Sequence, residues 1–173
     1  MNSQHVLKGE VQLDRNNCTV FYRAKDLQIT KGDVLINGTG VGTIGRSAPY
    51  LHDQKALPDN HVTILRIKDS EFLDPVYLSV FLNCLTGKCQ VEKRIHGSSG
   101  QIELYPADID RFIVWIAPRN LQALNRGHVI NAYEAKNKTK ILLEGGKRAV
   151  EIAIEESEGA TMSFLAELET EVG

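Results

Sequence analysis

Cysteine is scarce in this chain of 173 residues. The three present, Cys18, Cys84 and Cys89, make an odd set, and no His or Cys pair stands near the C-x4-C spacing of Cys84 and Cys89. That argues against a disulfide scaffold and a structural zinc tetrad, and points to free thiols in a reducing compartment. The five histidines are scattered without metal-ligand spacing, so neither a metal nor any other cofactor is expected. Long apolar runs are missing too, and the opening MNSQHVLKGEVQLDRN has no basic region leading into an apolar stretch. A soluble, cytoplasmic protein with no membrane partner is the expectation. Charge of one sign is also lacking: 20 Lys and Arg against 22 Asp and Glu leave a net of -2. A small basic patch fits inside such a sum, so the total neither announces nor excludes a nucleic-acid partner.

What is present is an ordinary globular composition, 42% hydrophobic, that changes character near Pro118. Before it, β-branched and apolar runs alternate with turn residues. CTVFYRA reads as a strand, DVLIN as a second, and VGTIGRS as the return strand of a hairpin with a glycine-bearing loop. SAPYLHDQKALP reads as a loop and HVTILRI as a fourth strand. Asp74-Pro75 signals a helix start, an acceptor at the cap followed by proline at the first position. The helix VYLSVFLNCL follows, with Thr86-Gly87-Lys88 a candidate interruption before CQVEKRI. His96 to Gly100 reads as a loop, QIEL as a short strand, PADI as a helical turn and FIVWIAP as a final buried strand.

From Asn120 onward the chain is helix-permissive, with Ile130, Tyr133, Leu142, Leu143, Val150, Ala153 and Ile154 near the spacing of a buried stripe. Unbroken to Glu156, such a helix spans about 50 Å, more than one small domain covers, and so implies a partner helix. Gly145-Gly146 marks either a break or a close approach of two helix backbones. The expected class is α+β: a small mixed or antiparallel sheet domain with packed helices over 1–118, then a long helical, coiled-coil-like segment over 119–173 for spacing or dimerisation.

Three motif look-alikes lack their contexts. Gly40-Val41-Gly42-Thr43-Ile44-Gly45 matches a dinucleotide-binding fingerprint, but RSAPYLHDQKALP cannot supply the helix whose amides would hold a pyrophosphate. Asp74-Pro75-Val76-Tyr77 is one residue from the D-P-P-Y motif of amino-methyltransferases and reads instead as a helix cap. Pro58-Asp59 lacks the second acid of a metal-dependent nuclease, because Arg66 stands where that acid belongs. No nucleophile–base pair or acid pair survives, so no catalytic residue is assigned and a non-enzyme is expected.

One larger pattern remains. KGDVLINGTGVGTIGRSAPY resembles the K-G-D-[IV]-L-[IV]-x-x-x-G-x-x-G segment of target-recognition domains in type I restriction-modification specificity subunits. HVTILRIKD, DPVYLSVFLNCLTGK, HGSSGQIEL, PADIDR and FIVWIAP follow in the family's order. The tail resembles the family's long helix, including its A-x-x-V-E-x-x-I rhythm. One recognition unit is present where full subunits carry two, and Arg119-Asn120-Leu121-Gln122 replaces the usual Gln-Glu-Ile. The family's usual opening segment with a Trp is missing, so a truncated product or the end of a longer polypeptide is expected.

The resemblance implies a reader of double-stranded DNA that directs DNA methyltransferase subunits, and with them a restriction subunit, to a target. It implies contacts from Thr39, Thr43, Arg46, Ser47, Tyr50, His52 and Lys55 near the hairpin. A second group is Lys88, Lys93, Arg94, His96, Ser98, Ser99 and Gln101. Arg and Lys hold phosphates or guanine, Gln suits adenine, and Ser and Thr pin phosphate oxygens. Arg94→Ala is expected to weaken duplex binding and reduce its salt slope. A second copy of the chain is a candidate partner through the C-terminal helix, giving a two-fold dimer on a split palindromic site. The alternatives are a protein-interaction and assembly module without DNA affinity, and the C-terminal recognition domain of a longer DNA methyltransferase.

Overall fold

In the computed structural model, which describes residues 1–13, 28–98 and 101–172, short strands precede and interleave with helices. They are β1 (Val6–Leu7), β2 (Glu10–Val11), β3 (Val34–Asn37), β4 (Ser47–Pro49) and β5 (Val62–Leu65). Then come α1 (Pro75–Asn83), α2 (Leu85–Glu92), β6 (His96–Ser98), β7 (Gln101–Glu103), α3 (Pro106–Ile109), α4 (Arg119–Glu155) and α5 (Glu158–Val172). The class is α+β with small antiparallel sheets. The expected strand CTVFYRA lies outside the described residues. The chain forms two compact units, Met1–Gly127 and His128–Gly173. The first turns of α4 thus belong to the first unit.

In the first unit, β3 is central in the order β4-β3-β5. Its apolar run is continuous because both faces are covered. Leu35 points into a cluster with Val6, Val11, Ile29, Ala48, Tyr50 and Val62. Ile36 points the other way, to Val91, Leu104 and Ile109, and Val34 meets Leu78 and Leu82 of α1. The start of α1 follows the expected cap: Asp74 Oδ1 accepts from the amides of Val76 at 2.8 Å and Tyr77 at 3.0 Å, with Pro75 in the first turn.

Several local expectations are corrected. VGTIGRS is not the return strand: Gly42 and Gly45 both have φ of 75°, a left-handed conformation that a strand does not use. Pairing resumes only at Ser47, in the register Val34↔Pro49 and Ile36↔Ser47, so SAP is strand rather than loop. Gly87 does not interrupt a helix. The break falls at Cys84, with ψ of 174°, and a Cβ on Gly87 would lie 2.4 Å from the Leu82 carbonyl oxygen. That glycine lets α2 close onto the end of α1. His96 to Ser98 is a strand, pairing His96↔Glu103 and Ser98↔Gln101.

FIVWIAP is extended but belongs to no named strand, and it is half exposed, with Ile113 at 78% and Trp115 at 59%. Side chains take the place of a strand partner. Gln90 donates to the Ile113 carbonyl at 2.9 Å and accepts its amide at 2.7 Å, while Tyr77 donates its hydroxyl to the Trp115 carbonyl at 2.7 Å. These bonds satisfy backbone groups that a ladder otherwise would.

The expected helix through Glu156 ends at Glu155, and α5 turns back along it. Thr161 Oγ1 donates to the Ala149 carbonyl at 3.4 Å, and Ala149 and Ile152 are buried. Of the two meanings open for Gly145-Gly146, close approach is the one realised: a Cβ on Gly145 would meet Leu168 Cδ2 at 2.2 Å, and the helix runs on through both glycines. Part of the partner helix that the stripe called for is therefore α5. Ile141, Leu142, Leu143, Val150 and Ile154 stay exposed.

Candidate nucleic-acid interface

The loop between β3 and β4 joins the two groups of candidate residues. On one side Thr39 bridges to Glu103 of β7, and the Leu104 amide donates to the Gly38 carbonyl at 2.8 Å. On the other, Gly45 lies so close to Val91 of α2 that a Cβ there would sit 2.7 Å from a Val91 methyl. The loop keeps its own shape through Thr43, whose hydroxyl donates to the Thr39 carbonyl at 3.1 Å and the Gly40 carbonyl at 3.2 Å. Thr39 Oγ1 is 3.1 Å from His61 Nδ1, a neighbour that sequence reading did not select.

The β6–β7 ribbon emerges from this base with nearly all of its side chains outside. His96, Gly97 and Ser98 are exposed, as are Gln101 and Glu103, and only Ile102 is half-buried. Gly97 has φ of 101°, and a Cβ there would lie 2.0 Å from the Gln101 carbonyl oxygen. No other residue type fits that bend. Ser99 lies outside the described residues. Tyr105, just after the ribbon, has its hydroxyl pKa raised, first by its hydrogen bond to Glu103 and then by that carboxylate's charge.

Lys88 and Lys93 are exposed on and just after α2, and Arg46 is half-buried at the end of the glycine loop. Arg94 is more tied down than expected. Its guanidinium donates to the carbonyls of Gln90 at 3.2 Å and Arg111 at 3.3 Å, and it stands 5.6 Å over the Phe112 ring. Much of its donor capacity is spent on backbone.

Two expected contacts are corrected outright. Ser47 is fully buried, its hydroxyl donating to the Ser79 carbonyl at 3.0 Å while Asn83 pairs with its backbone. Tyr50 is fully buried in the first core cluster, its hydroxyl donating to the Gln54 carbonyl, and burial raises its pKa. Neither side chain is presented at the surface. His52 bonds to the Val11 carbonyl at 3.0 Å through Nε2 and packs edge-on to Tyr50. It and exposed Lys55 belong to the loop beside β2 rather than to the ribbon.

The Asp of the K-G-D segment is structural. Asp33, with 3% of its side chain exposed, accepts a two-pronged contact from Arg66, Nε to Oδ1 and Nη2 to Oδ2, each at 2.8 Å. The Thr30 amide adds a bond at 2.7 Å and its hydroxyl one at 3.2 Å. Burial pushes the Asp33 carboxyl pKa up, but these bonds and the Arg66 charge outweigh it and hold the pKa below its ordinary 3.8. A second buried anchor is Gln122, which accepts the Asp74 amide at 2.8 Å and donates to the carbonyls of Ala117 at 2.8 Å and Phe72 at 3.2 Å. The signal for Asp33 was an arginine directly after an apolar strand; Gln122 had none.

Neither any protein-family model nor any curated protein sequence matches the chain. Among the described residues, no three His, Cys, Asp or Glu side chains are grouped to hold a metal ion, and no helix is long and apolar enough to cross a membrane.

Proposed function

We propose that the chain reads double-stranded DNA, as a cytoplasmic target-recognition part of a type I restriction-modification specificity subunit that brings methyltransferase and restriction subunits to their site. The observation that carries this reading is the exposed β6–β7 ribbon, fixed at its base to the glycine loop, in a unit that also exposes Lys88 and Lys93 on and just after α2. A two-stranded ribbon fits the width of the major groove. Ser98 and Gln101 are cross-strand partners at its outer end, where Gln101 would present its amide to adenine and the lysines would meet phosphates. The reaction on DNA belongs to the partner subunits.

The test is selection from a random duplex library by the full chain, alone and with its methyltransferase. Enrichment of one short motif, with affinity falling steeply with salt, supports the reading. Retention of a folded chain with no enrichment in either setting rejects it.

The exposed Ile141, Leu142, Leu143, Val150 and Ile154 of the second unit favour an assembly role beside it. Concentration-dependent mass without duplex binding would make assembly, through a second copy or another protein, the whole function. A recognition domain of a longer methyltransferase would give the same duplex selection.

A further inference from the structure

Of the described residues of the β6–β7 ribbon Ile102 alone is half-buried, so polar contacts at the ribbon's base bear on its pose. Asp108 supplies one of its side-chain contacts. Its carboxylate is mostly buried, with 14% of the side chain exposed, and Oδ2 lies 2.9 Å from Nε2 of His96, which is 54% exposed. Arg111 Nη1 stands 4.0 Å from the other oxygen. The Tyr105 ring packs 5.3 Å from the His96 ring, and Tyr105 bonds to Glu103, the cross-strand partner of His96. Asp108 thus grips the first residue of the ribbon from α3. Its own negative charge makes it a poor contact for phosphate, and its closest charged or polar side-chain partner is His96 rather than Arg111.

We propose that Asp108 is a positioning residue: by fixing the His96 ring it sets the angle at which Ser98 and Gln101 meet the base edges. The proposal rests on the DNA-reading function above. Ser98 lies two residues, about 6.6 Å, beyond His96, so a swing of about 10° there moves Ser98 and its partner Gln101 by about 1 Å, enough to spoil hydrogen-bond geometry. Discrimination between sequences then suffers while phosphate contacts, made by other residues, persist.

The experiment compares the full wild-type chain with Asp108→Ala, Asp108→Glu, His96→Ala and the double variant His96→Ala/Asp108→Ala. The probes are the duplex that the wild type enriches and a shuffled duplex of equal length. Asp108→Ala is expected to lose about tenfold of the preference, within the cost of one mismatched base pair. Salt slope and affinity for the shuffled duplex should stay as in the wild type. Asp108→Glu should recover part of the preference, and the double variant should lose no more than the worse single one. An unchanged preference, an equal fall on both duplexes, or additive losses would overturn the positioning role while leaving DNA reading intact. A wild type that prefers no duplex overturns both. If Asp108→Ala does not fold, Asp108→Ser, polar but too short to reach His96, takes its place with the same expected outcome.

Discussion

Replacing Arg66 with Met isolates the charge that holds Asp33. Met has similar length and fills similar space but donates no hydrogen bond. Among the described residues the variant leaves a buried carboxylate with the Thr30 amide and hydroxyl alone, and it frees the Gln28 carbonyl, which Arg66 bonds at 2.7 Å. Removing one member of a fully buried ion pair costs about 3–5 kcal/mol. Arg66 has 48% of its side chain exposed, so water screens the pair and about 2 kcal/mol is the expectation at neutral pH. For a unit of this size that lowers Tm by about 6–10 °C.

The pH dependence separates charge from packing. In the wild type the Asp33 pKa is depressed below 3.8. Its contribution is therefore complete above the unfolded value and lost as pH falls through the folded one. In Arg66→Met, burial acts against fewer donors, the carboxyl pKa rises, and protonation relieves the variant. The difference in Tm between the two chains should be widest near neutrality and shrink as pH falls toward and below 3.8. Adding Asp33→Asn to Arg66→Met should recover about 1 kcal/mol, since no buried charge is left alone. Thermal unfolding by circular dichroism across pH reads all three chains. A constant difference from neutral to acid pH, with no recovery in the double variant, would refute the charge argument and leave Arg66 as packing.

Gln122→Ala should destabilise the first unit by about 2–3 kcal/mol in urea unfolding, because three backbone groups at the start of α1 and α4 lose their partner; under 1 kcal/mol would mean water replaces it. Gly97→Ala, which drives a methyl into the Gln101 carbonyl, should abolish duplex selection, while hydrogen exchange in β3 stays as slow as in the wild type. Gly146→Ala, with open space around it, should stabilise the helical unit by about 1 kcal/mol, whereas Gly145→Ala gains less because Leu168 must move. Equal gains would show that α5 does not pack there. Lys93→Ala should reduce the salt slope of duplex binding by about one. Arg94→Ala should lower stability as well as affinity, and unfolding curves separate the two effects.

Elements whose cause is local were legible in the sequence. Asp74 and Pro75 announce α1 because cap and proline act within one turn, and the β-branched Val62, Thr63 and Ile64 announce β5. Elements that depend on distant partners were not. The β4 strand was displaced because the positive φ of Gly42 and Gly45 has no mark in a hairpin sequence. FIVWIAP has every property of a strand except a partner, since Gln90 and Tyr77 take that role. The turn between α4 and α5 falls at Glu156 and Ser157, with neither Gly nor Pro to signal it. At the candidate interface, the resemblance pointed to His96, Ser98 and Gln101 while their composition read as a loop rather than a ribbon, and nothing local distinguished Ser47 and Tyr50, whose side chains face the core. Asp108 carried no signal because its contact with His96 spans twelve residues.

The helical hairpin of the second unit has a consequence in mass action. Only Glu156 and Ser157 separate α4 from α5, so α5 meets the Gly145–Ile152 face as a tethered ligand, at an effective concentration of order millimolar. A free helix at micromolar concentration must bind that face about a thousandfold more tightly, roughly 4 kcal/mol, merely to match it. Assembly over this face would therefore show a threshold set by the tether. Lengthening the link would lower that threshold slowly, because the closure cost grows only with the logarithm of loop length.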